Sequence, residues 1–136
     1  MKIETIRHSL AHIMALAIKE FYPEAKFGIG PAIENGFYYD FDVSAGALME
    51  ADLPKIEKKM RELIKQNIPF KKRKLTRNVL VKLFKGQPYK LELLGLAKQP
   101  TIYESGKFVD LCKGPHIKST KEIPIDSFKL IKVAGA

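Results

Sequence analysis

The sequence has little cysteine, comparatively little negative charge and no long apolar run. Its one cysteine, Cys112, excludes an internal disulfide in this chain of 136 residues. No apolar stretch approaches the roughly 18 residues that a membrane-spanning helix needs. Residues 1–4 lead straight into an amphipathic pattern without the apolar core of a signal peptide. We therefore expect a cytosolic protein of the cytoplasm that has no membrane partner.

Positive charge, in contrast, is in excess. Lysine and arginine number 24 and acidic residues 15, so the formal net charge is +9. This excess favours a polyanionic partner, although a lysine-rich surface that is merely solvated fits the charge about as well. Hydrophobic residues make up 46% of the chain, enough for a core of ordinary size, and the length fits one domain over residues 1–136.

The hydrophobic periodicity and the turn residues predict alternating helices and strands. Helices are predicted at residues 4–21, 51–67 and 77–85, the last with Thr76 as its N-cap. Strands are predicted at residues 27–29, 37–43, 70–75, 101–103, 107–111 and 128–133, while segment 89–97 is ambiguous. The Asn35-Gly36 pair predicts a tight hairpin that pairs the first two strands. This pattern indicates an α+β fold, a two-layer sandwich of helices on a largely antiparallel sheet.

All three histidines and the cysteine fall in two closely spaced pairs. His8 and His12 are four residues apart on the first predicted helix, so both imidazoles lie on one face. Cys112 and His116 have the same spacing across a Gly-Pro turn that can direct both side chains to one side. Either pair alone fits a structural role better, but the concentration of all four groups in two pairs favours a chemical site.

The four groups allow two kinds of chemistry. Three imidazoles and a thiol form a sound tetrahedral zinc set. The same groups without a metal can orient and deprotonate a water molecule. Sequence spacing does not separate these two possibilities.

Three separated motifs connect these residues with a known family. They are TIRHSLAH at 5–12, IGPAIENGFYYD at 29–40 and VDLCKGPH at 109–116. Together they resemble the editing domain of bacterial-type threonyl-tRNA synthetases, and more distantly that of alanyl-tRNA synthetases, which usually has Thr where Pro115 stands here. The resemblance runs from Glu4 to the C-terminus, where residues 128–136 are similar to the family segment that precedes the linker to the aminoacylation core.

The resemblance implies a fold of helix, two strands, helix and two strands, with an active site in the cleft beside the first helix. It places His8, His12, Cys112 and His116 in this pocket and adds Asp110, Lys90 and Tyr39. The acidic residue two positions before Cys112 lies on the same strand face as the thiol, where it could hold a substrate ammonium group or orient an imidazole.

The activity that the resemblance implies is editing, the hydrolytic deacylation of threonine tRNA that is mischarged with serine. We expect His8 and His12 to position and activate water, Lys90 to stabilise developing negative charge, and Asp110 to bind the amino group. Tyr39 is expected to contact the substrate, and Cys112 with His116 to shape the pocket. No cofactor is required in this interpretation, and zinc at the four His and Cys ligands is not favoured.

The expected RNA contacts come from basic residues near and after the third predicted strand. The residues are Lys71, Lys72, Arg73, Lys74 and Arg77, with Lys113 at a position where the family commonly has arginine. Dense positive charge without interleaved aromatic residues suits phosphates better than bases. The partner implied is threonine tRNA.

The resemblance does not extend to a whole synthetase. The aminoacylation core and the small N-terminal domain of many members have no counterpart in the sequence, so we expect an excised domain or a free-standing editor. Two alternatives remain: a non-catalytic RNA-binding module of the same fold, and a zinc-dependent hydrolase of a small ester for which the basic charge is incidental.

Overall fold

A long helix and a set of short antiparallel strands build the fold. The computed structural model describes residues 3–43 and 48–134, so the last two residues of the family-like segment 128–136 lie outside the described residues. The helices are α1 (Ile3–Phe21), α2 (Leu53–Lys65), α3 (Arg77–Leu83) and α4 (Pro88–Leu96). The strands are β1 (Lys26–Phe27), β2 (Ala32–Ile33), β3 (Gly36–Phe37), β4 (Phe41–Asp42), β5 (Phe70–Arg73), β6 (Ile102–Ser105) and β7 (Phe108–Leu111). The predicted α+β class is confirmed.

Helix α1 is the centre of the core. Its apolar side chains recur at helical spacing, and Leu10, Ile13 and Leu16 are almost completely buried. It packs against α2, whose buried face carries Ile56 and Met60, and against the strands on its other side. Among the described residues, none of the helices is long and apolar enough to cross a membrane.

The strands form three small antiparallel sheets rather than one. β5, β6 and β7 make a three-stranded sheet in that order, while β1 pairs with β4 and β2 with β3. The predicted hairpin at 27–43 is present, but its turn residues are Glu34 and Asn35, because Ile33 pairs with Gly36. Four short strands thus lie between α1 and α2, where the resemblance implies two.

The predicted third helix and the ambiguous segment form a helical pair between β5 and β6. Thr76 is the N-cap of α3 and accepts a hydrogen bond from the Val79 amide, as expected. The ambiguous segment 89–97 folds as α4, which begins with Pro88 in its first turn. The pair encloses a small second core of Leu80, Phe84, Leu94 and Ile102.

The predicted strand at 128–133 is wrong. This segment has no regular structure in the described part of the chain, because side chains of α2 rather than a sheet edge satisfy its backbone. The Arg61 guanidinium donates to the Phe128 carbonyl at 3.3 Å, and the Leu130 amide donates to Glu57 at 2.8 Å. The strand-like alternation in the sequence here belongs to an irregular segment that contacts α2.

One buried hydroxyl joins the C-terminal end of α2 to the chain that follows β7. Thr120 is fully buried, and its Oγ1 accepts from the Ile68 amide at 2.8 Å and donates to the Ile64 carbonyl at 2.9 Å. Ser105 is equally buried, but its hydroxyl has no hydrogen-bond partner among the described residues. The two hydroxyls are therefore a matched pair for measuring what these bonds contribute.

We expect Thr120→Val to lower the free energy of unfolding by about 1–3 kcal/mol, because the Ile68 amide is left buried without an acceptor. Ser105→Ala should change it by less than about 0.5 kcal/mol or stabilise the protein, since no bond is lost and a hydroxyl leaves an apolar site. Urea unfolding of both variants measures the difference. Equal destabilisation by the two substitutions would contradict this assignment.

Candidate active site

The two predicted pairs converge on one point between α1 and the loop that follows β7. Sγ of Cys112 lies 3.4 Å from Nε2 of His8 and 3.4 Å from Nε2 of His116. The ring of His116 has its centroid 4.1 Å from the rings of both His8 and His12. One nitrogen or sulfur atom from each of the four residues lies within 4.8 Å of the others. We call this group the His/Cys cluster.

The loop after β7 turns sharply to bring Cys112 and His116 to the same side. Gly114 has a φ of 80°, a left-handed conformation that glycine adopts without strain. A Cβ on Gly114 would lie 2.5 Å from the hydroxyl oxygen of Tyr103, so the residue is also sterically required to be glycine. The Gly114 amide donates to Cys112 Sγ at 3.3 Å. The ring of Tyr103 in turn packs edge-on against His116, with centroids 4.5 Å apart.

Behind the cluster lies a buried network centred on the carboxylate of Asp110. Oδ2 accepts from His12 Nε2 at 2.9 Å and from the Tyr39 hydroxyl at 2.7 Å, while Oδ1 accepts from Lys90. Lys90 also donates to the Gly28 carbonyl at 2.6 Å and to the Tyr39 hydroxyl at 2.8 Å. All three hydrogens of the Lys90 ammonium group are therefore used within the protein.

Burial and charge together set the ionisation of this network. Residues Lys90, Asp110 and Tyr39 are 2%, 3% and 5% exposed. Burial by itself would raise the pKa of Asp110, but the His12 imidazole and the Lys90 ammonium group hold it well below its ordinary value. Burial and the Asp110 charge raise the pKa of Tyr39 far above its ordinary value, so its hydroxyl stays protonated and can donate.

These positions bear directly on the roles expected from the sequence. Asp110 and Lys90 are hydrogen-bonded to each other and to their neighbours, and both are almost completely buried. Of the two roles considered for Asp110, orienting an imidazole has a direct counterpart in the bond to His12 Nε2. Lys90 and Tyr39 both donate hydrogen bonds to the same carboxylate.

His12 connects the network to the cluster through its two ring nitrogens. Its Nε2 donates to Asp110, so in the neutral ring Nδ1 carries the lone pair. Nδ1 is buried and has no hydrogen-bond partner among the described residues. A buried acceptor without a partner is costly, and an acceptor in this position can take a proton from a bound molecule.

Three members of the cluster, His8, Cys112 and His116, are neutral at physiological pH. Burial, together with the neighbouring His12 and His8, lowers the pKa of His116 to about 2. Burial and His12 also lower the pKa of His8. Burial raises the pKa of the Cys112 thiol to about 11, so it is not a thiolate nucleophile. The site thus presents nitrogen lone pairs and a protonated thiol.

The same donor atoms also fit a metal ion. Three imidazole nitrogens and one sulfur within 4.8 Å of one another suit the tetrahedral coordination of zinc, which would bind the thiolate form of Cys112. His8, His12, Cys112 and His116 would be the ligands. The geometry is compatible with both chemistries that the sequence leaves open.

The basic run after residue 70 does not form one stripe. Successive side chains of a strand point to opposite faces, so Lys71 and Arg73 lie opposite Lys72. Arg73 pairs with Glu104 at 3.4 Å across the sheet. Lys72 lies on the same side as Phe70, whose ring centroid is 5.2 Å from that of His116, and donates to the Lys113 carbonyl at 3.1 Å. Of the residues in the run, Lys72 is the cation beside the cluster, while Lys74 is exposed just beyond the strand.

Arg77 has a structural partner that the sequence interpretation missed. Its guanidinium donates to the Leu94 carbonyl at 2.6 Å and to the Ala97 carbonyl at 2.7 Å, which caps the C-terminus of α4. These two bonds hold the guanidinium against the end of α4. Sequence reasoning also missed Ser9, a fully buried polar residue on α1 next to His8. Its position on the apolar face of the helix could have revealed it.

Comparison with known proteins finds similar sequences along almost the whole chain. Residues 101–135 match the family described as "Threonyl and Alanyl tRNA synthetase second additional domain". The chain is 50% identical over 136 residues to a threonine–tRNA ligase of Dehalococcoides mccartyi, covering 98% of this chain and 23% of the relative. Threonine–tRNA ligases of Thermotoga petrophila and Streptococcus suis are 50% and 44% identical, again over 98% of this chain and 21% of each relative.

The chain spans about a fifth of the length of the curated relatives it matches. The matched residues include the whole β6–β7 hairpin and the loop that carries Cys112 and His116. The chain is therefore similar to one segment of threonine–tRNA ligases, and its residues 101–135 match their second additional domain.

Proposed function

We propose that this chain hydrolyses the ester bond that joins serine to the 3′-terminal ribose of mischarged threonine tRNA. The observation that carries this proposal is Nδ1 of His12, which has no hydrogen-bond partner among the described residues, while Asp110 holds Nε2 and the neutral His8, Cys112 and His116 lie beside the ring. An imidazole arranged in this way is suited to act as a general base on water. The relationship to threonine–tRNA ligases supports threonine tRNA as the carrier of the ester.

The steps follow from the hydrogen-bond pattern. Water bound beside His8 gives a proton to His12 Nδ1 and attacks the ester carbonyl carbon. The Asp110 carboxylate stabilises the imidazolium that forms, since it already accepts from Nε2. When the tetrahedral intermediate collapses, the carbon–oxygen bond to the ribose breaks and the ribose oxygen takes the proton back from His12. The products are free serine and uncharged tRNA.

Cys112 and His116 shape the wall of the pocket in this mechanism. The thiol is protonated because burial raises its pKa to about 11, so attack by water is favoured over attack by sulfur. Lys90 and Tyr39 act at one remove, by fixing the Asp110 carboxylate.

The need for such a reaction follows from the size of the two amino acids. Threonine and serine differ by one methyl group, which a binding pocket distinguishes by roughly 1–3 kcal/mol, or 10 to 200-fold. A hydrolytic site that accepts serine and excludes the extra methyl supplies the missing discrimination. Overpacking by about one methyl costs roughly 1–3 kcal/mol in a rigid site and can also displace the attacking water.

The direct test is a deacylation assay of the purified chain with threonine tRNA charged with serine or with threonine. The chain should hydrolyse the seryl ester much faster than the threonyl ester, with a rate ratio above about 10-fold. If the chain does not accelerate hydrolysis over the spontaneous rate, the remaining interpretation is a non-catalytic RNA-binding module of the same fold. Equal hydrolysis of both esters would remove the size-based selectivity.

His12→Ala should slow single-turnover deacylation of the seryl tRNA by about 10²- to 10⁴-fold, because the general base is lost. The dissociation constant for tRNA, measured by filter binding, should change little, since His12 is buried away from the charged surface. Thr120→Val is the matched control, because it perturbs a buried hydrogen-bonded residue outside the site. A similar slowing in both variants would point to a general loss of folding instead of a lost base.

Lys72→Ala should weaken tRNA binding and reduce the slope of log affinity against log salt by about 0.7, the value for one lost phosphate contact on a single strand. Lys71→Ala is its control: the same substitution on the opposite face of the same strand. The tRNA affinity is measured at several salt concentrations. If Lys71→Ala has an effect as large as Lys72→Ala, the RNA does not approach from the side of the His/Cys cluster.

We expect deacylation to survive treatment with a strong chelator, because His12 can activate water beside the other three cluster residues without a metal. Elemental analysis before and after chelation, with activity measured on the same samples, makes the comparison. Activity that disappears on chelation and returns with zinc would transfer water activation to a metal held by the four cluster residues.

A further inference from the structure

The hydroxyl of Ser9 is a buried polar group that the proposed reaction does not use. Ser9 lies on α1 directly after His8 and is fully buried. Its Oγ lies 2.8 Å from the Thr5 carbonyl oxygen, 3.1 Å from the Ile117 amide and 3.0 Å from Nδ1 of His116. One oxygen atom therefore contacts the helix, the active-site loop and a member of the His/Cys cluster.

The hydrogens available to these groups permit one arrangement in which every contact is a hydrogen bond. A serine hydroxyl has one hydrogen to donate and two lone pairs to accept with. The Thr5 carbonyl can only accept and the Ile117 amide can only donate. If Ser9 donates to Thr5, it accepts from Ile117 and has one lone pair left for His116. Nδ1 of His116 must then carry the hydrogen.

The opposite arrangement satisfies fewer groups. If His116 carried its hydrogen on Nε2, the Ser9 hydroxyl would have to donate to Nδ1. The 2.8 Å contact to the Thr5 carbonyl would then join two acceptors, and one Ser9 lone pair would stay unused in a fully buried position. An unmade bond of this kind is costly inside a protein.

We propose that Ser9 is a positioning residue that keeps the hydrogen of His116 on Nδ1 and so aims the Nε2 lone pair at the Cys112 thiol. Nε2 lies 3.4 Å from Sγ, where it can accept the S–H hydrogen. The inference rests on the proposed function in one respect. In that reaction, this orientation keeps a second hydrogen-bond acceptor next to His12 and His8. The tautomer itself follows from the contacts of Ser9.

Ser9 therefore also fixes the position of His116, which forms one side of the pocket. Because Ser9 also accepts from the Ile117 amide, it ties the loop behind His116 to α1. The ring of His116 is then held 4.1 Å from the rings of both His8 and His12. Loss of the Ser9 hydroxyl would free the ring to turn over or to move its hydrogen to Nε2.

The test is long-range ¹H–¹⁵N NMR of the histidine rings in the full chain, labelled with ¹⁵N-histidine and treated with chelator. We expect His116 to show a protonated Nδ1 and an unprotonated Nε2, and Ser9→Ala to lose this pattern. Thr120→Val and Ser105→Ala, which remove buried hydroxyls elsewhere, should keep it. A protonated Nε2 in the unaltered protein would overturn the proposal without any variant, as would an unchanged pattern in Ser9→Ala.

Kinetics supply the second readout. Ser9→Ala should slow single-turnover deacylation on the order of 10 to 100-fold, the range for groups that orient a functional histidine. In a His116→Ala background the same substitution should cause no further slowing, whereas an equal slowing in both backgrounds would contradict action through His116. If the unaltered chain does not deacylate seryl tRNA, the proposed function fails while the NMR result still decides the role of Ser9.

Discussion

The site depends on one buried negative charge. Removing a carboxylate from water costs several kcal/mol unless it is paired and hydrogen-bonded. Asp110 meets this requirement with three donors that come from three parts of the chain: His12 on α1, Tyr39 just before β4 and Lys90 on α4. Each of these elements must be in place before the carboxylate is satisfied. The contacts that stabilise the buried carboxylate in the folded protein are thus the same contacts that orient His12.

The two sides of His12 differ in charge: the Asp110 carboxylate lies on one side, and the neutral His8, Cys112 and His116 lie on the other. The Asp110 carboxylate stays ionised beside Lys90, whereas burial keeps His8 and His116 deprotonated and the Cys112 thiol protonated. A neutral pocket with several lone pairs can hold and polarise water without attracting a permanent counterion. Outside the pocket, the face of β5 that is nearer the cluster carries the positive charge of Lys72.

The sequence predicted the cluster because its chemistry is concentrated. The chain has three histidines and one cysteine, and all four fall in two pairs at helix and turn spacing, so few other groupings of these residues are possible. It predicted α1 equally well, because a long apolar stripe is a local property. The strand at 128–133 failed because its backbone partners, Glu57 and Arg61, lie far away along the chain. Local alternation cannot reveal such partners.

The remaining differences concern side chains whose partners are distant. Which face of β5 meets the cluster is fixed by pairing with β6, and the capping role of Arg77 needs the end of α4 nearby. The direction of Asp110 toward His12 was one of two options in the sequence and required the positions of Lys90 and Tyr39 to resolve. Long-range contacts therefore decided roles, while short-range spacing identified the participants.

The central claim is that Asp110 acts on the reaction through His12. The most direct measurement is a double-mutant cycle of single-turnover deacylation of seryl tRNA with Asp110→Asn, His12→Ala and the two combined, in variants whose folding is verified by near-UV circular dichroism. The account predicts that the double variant is no slower than His12→Ala, because Asp110 has no imidazole left to orient. Independent effects that multiply in the double variant would contradict it and return Asp110 to a role of its own at the substrate.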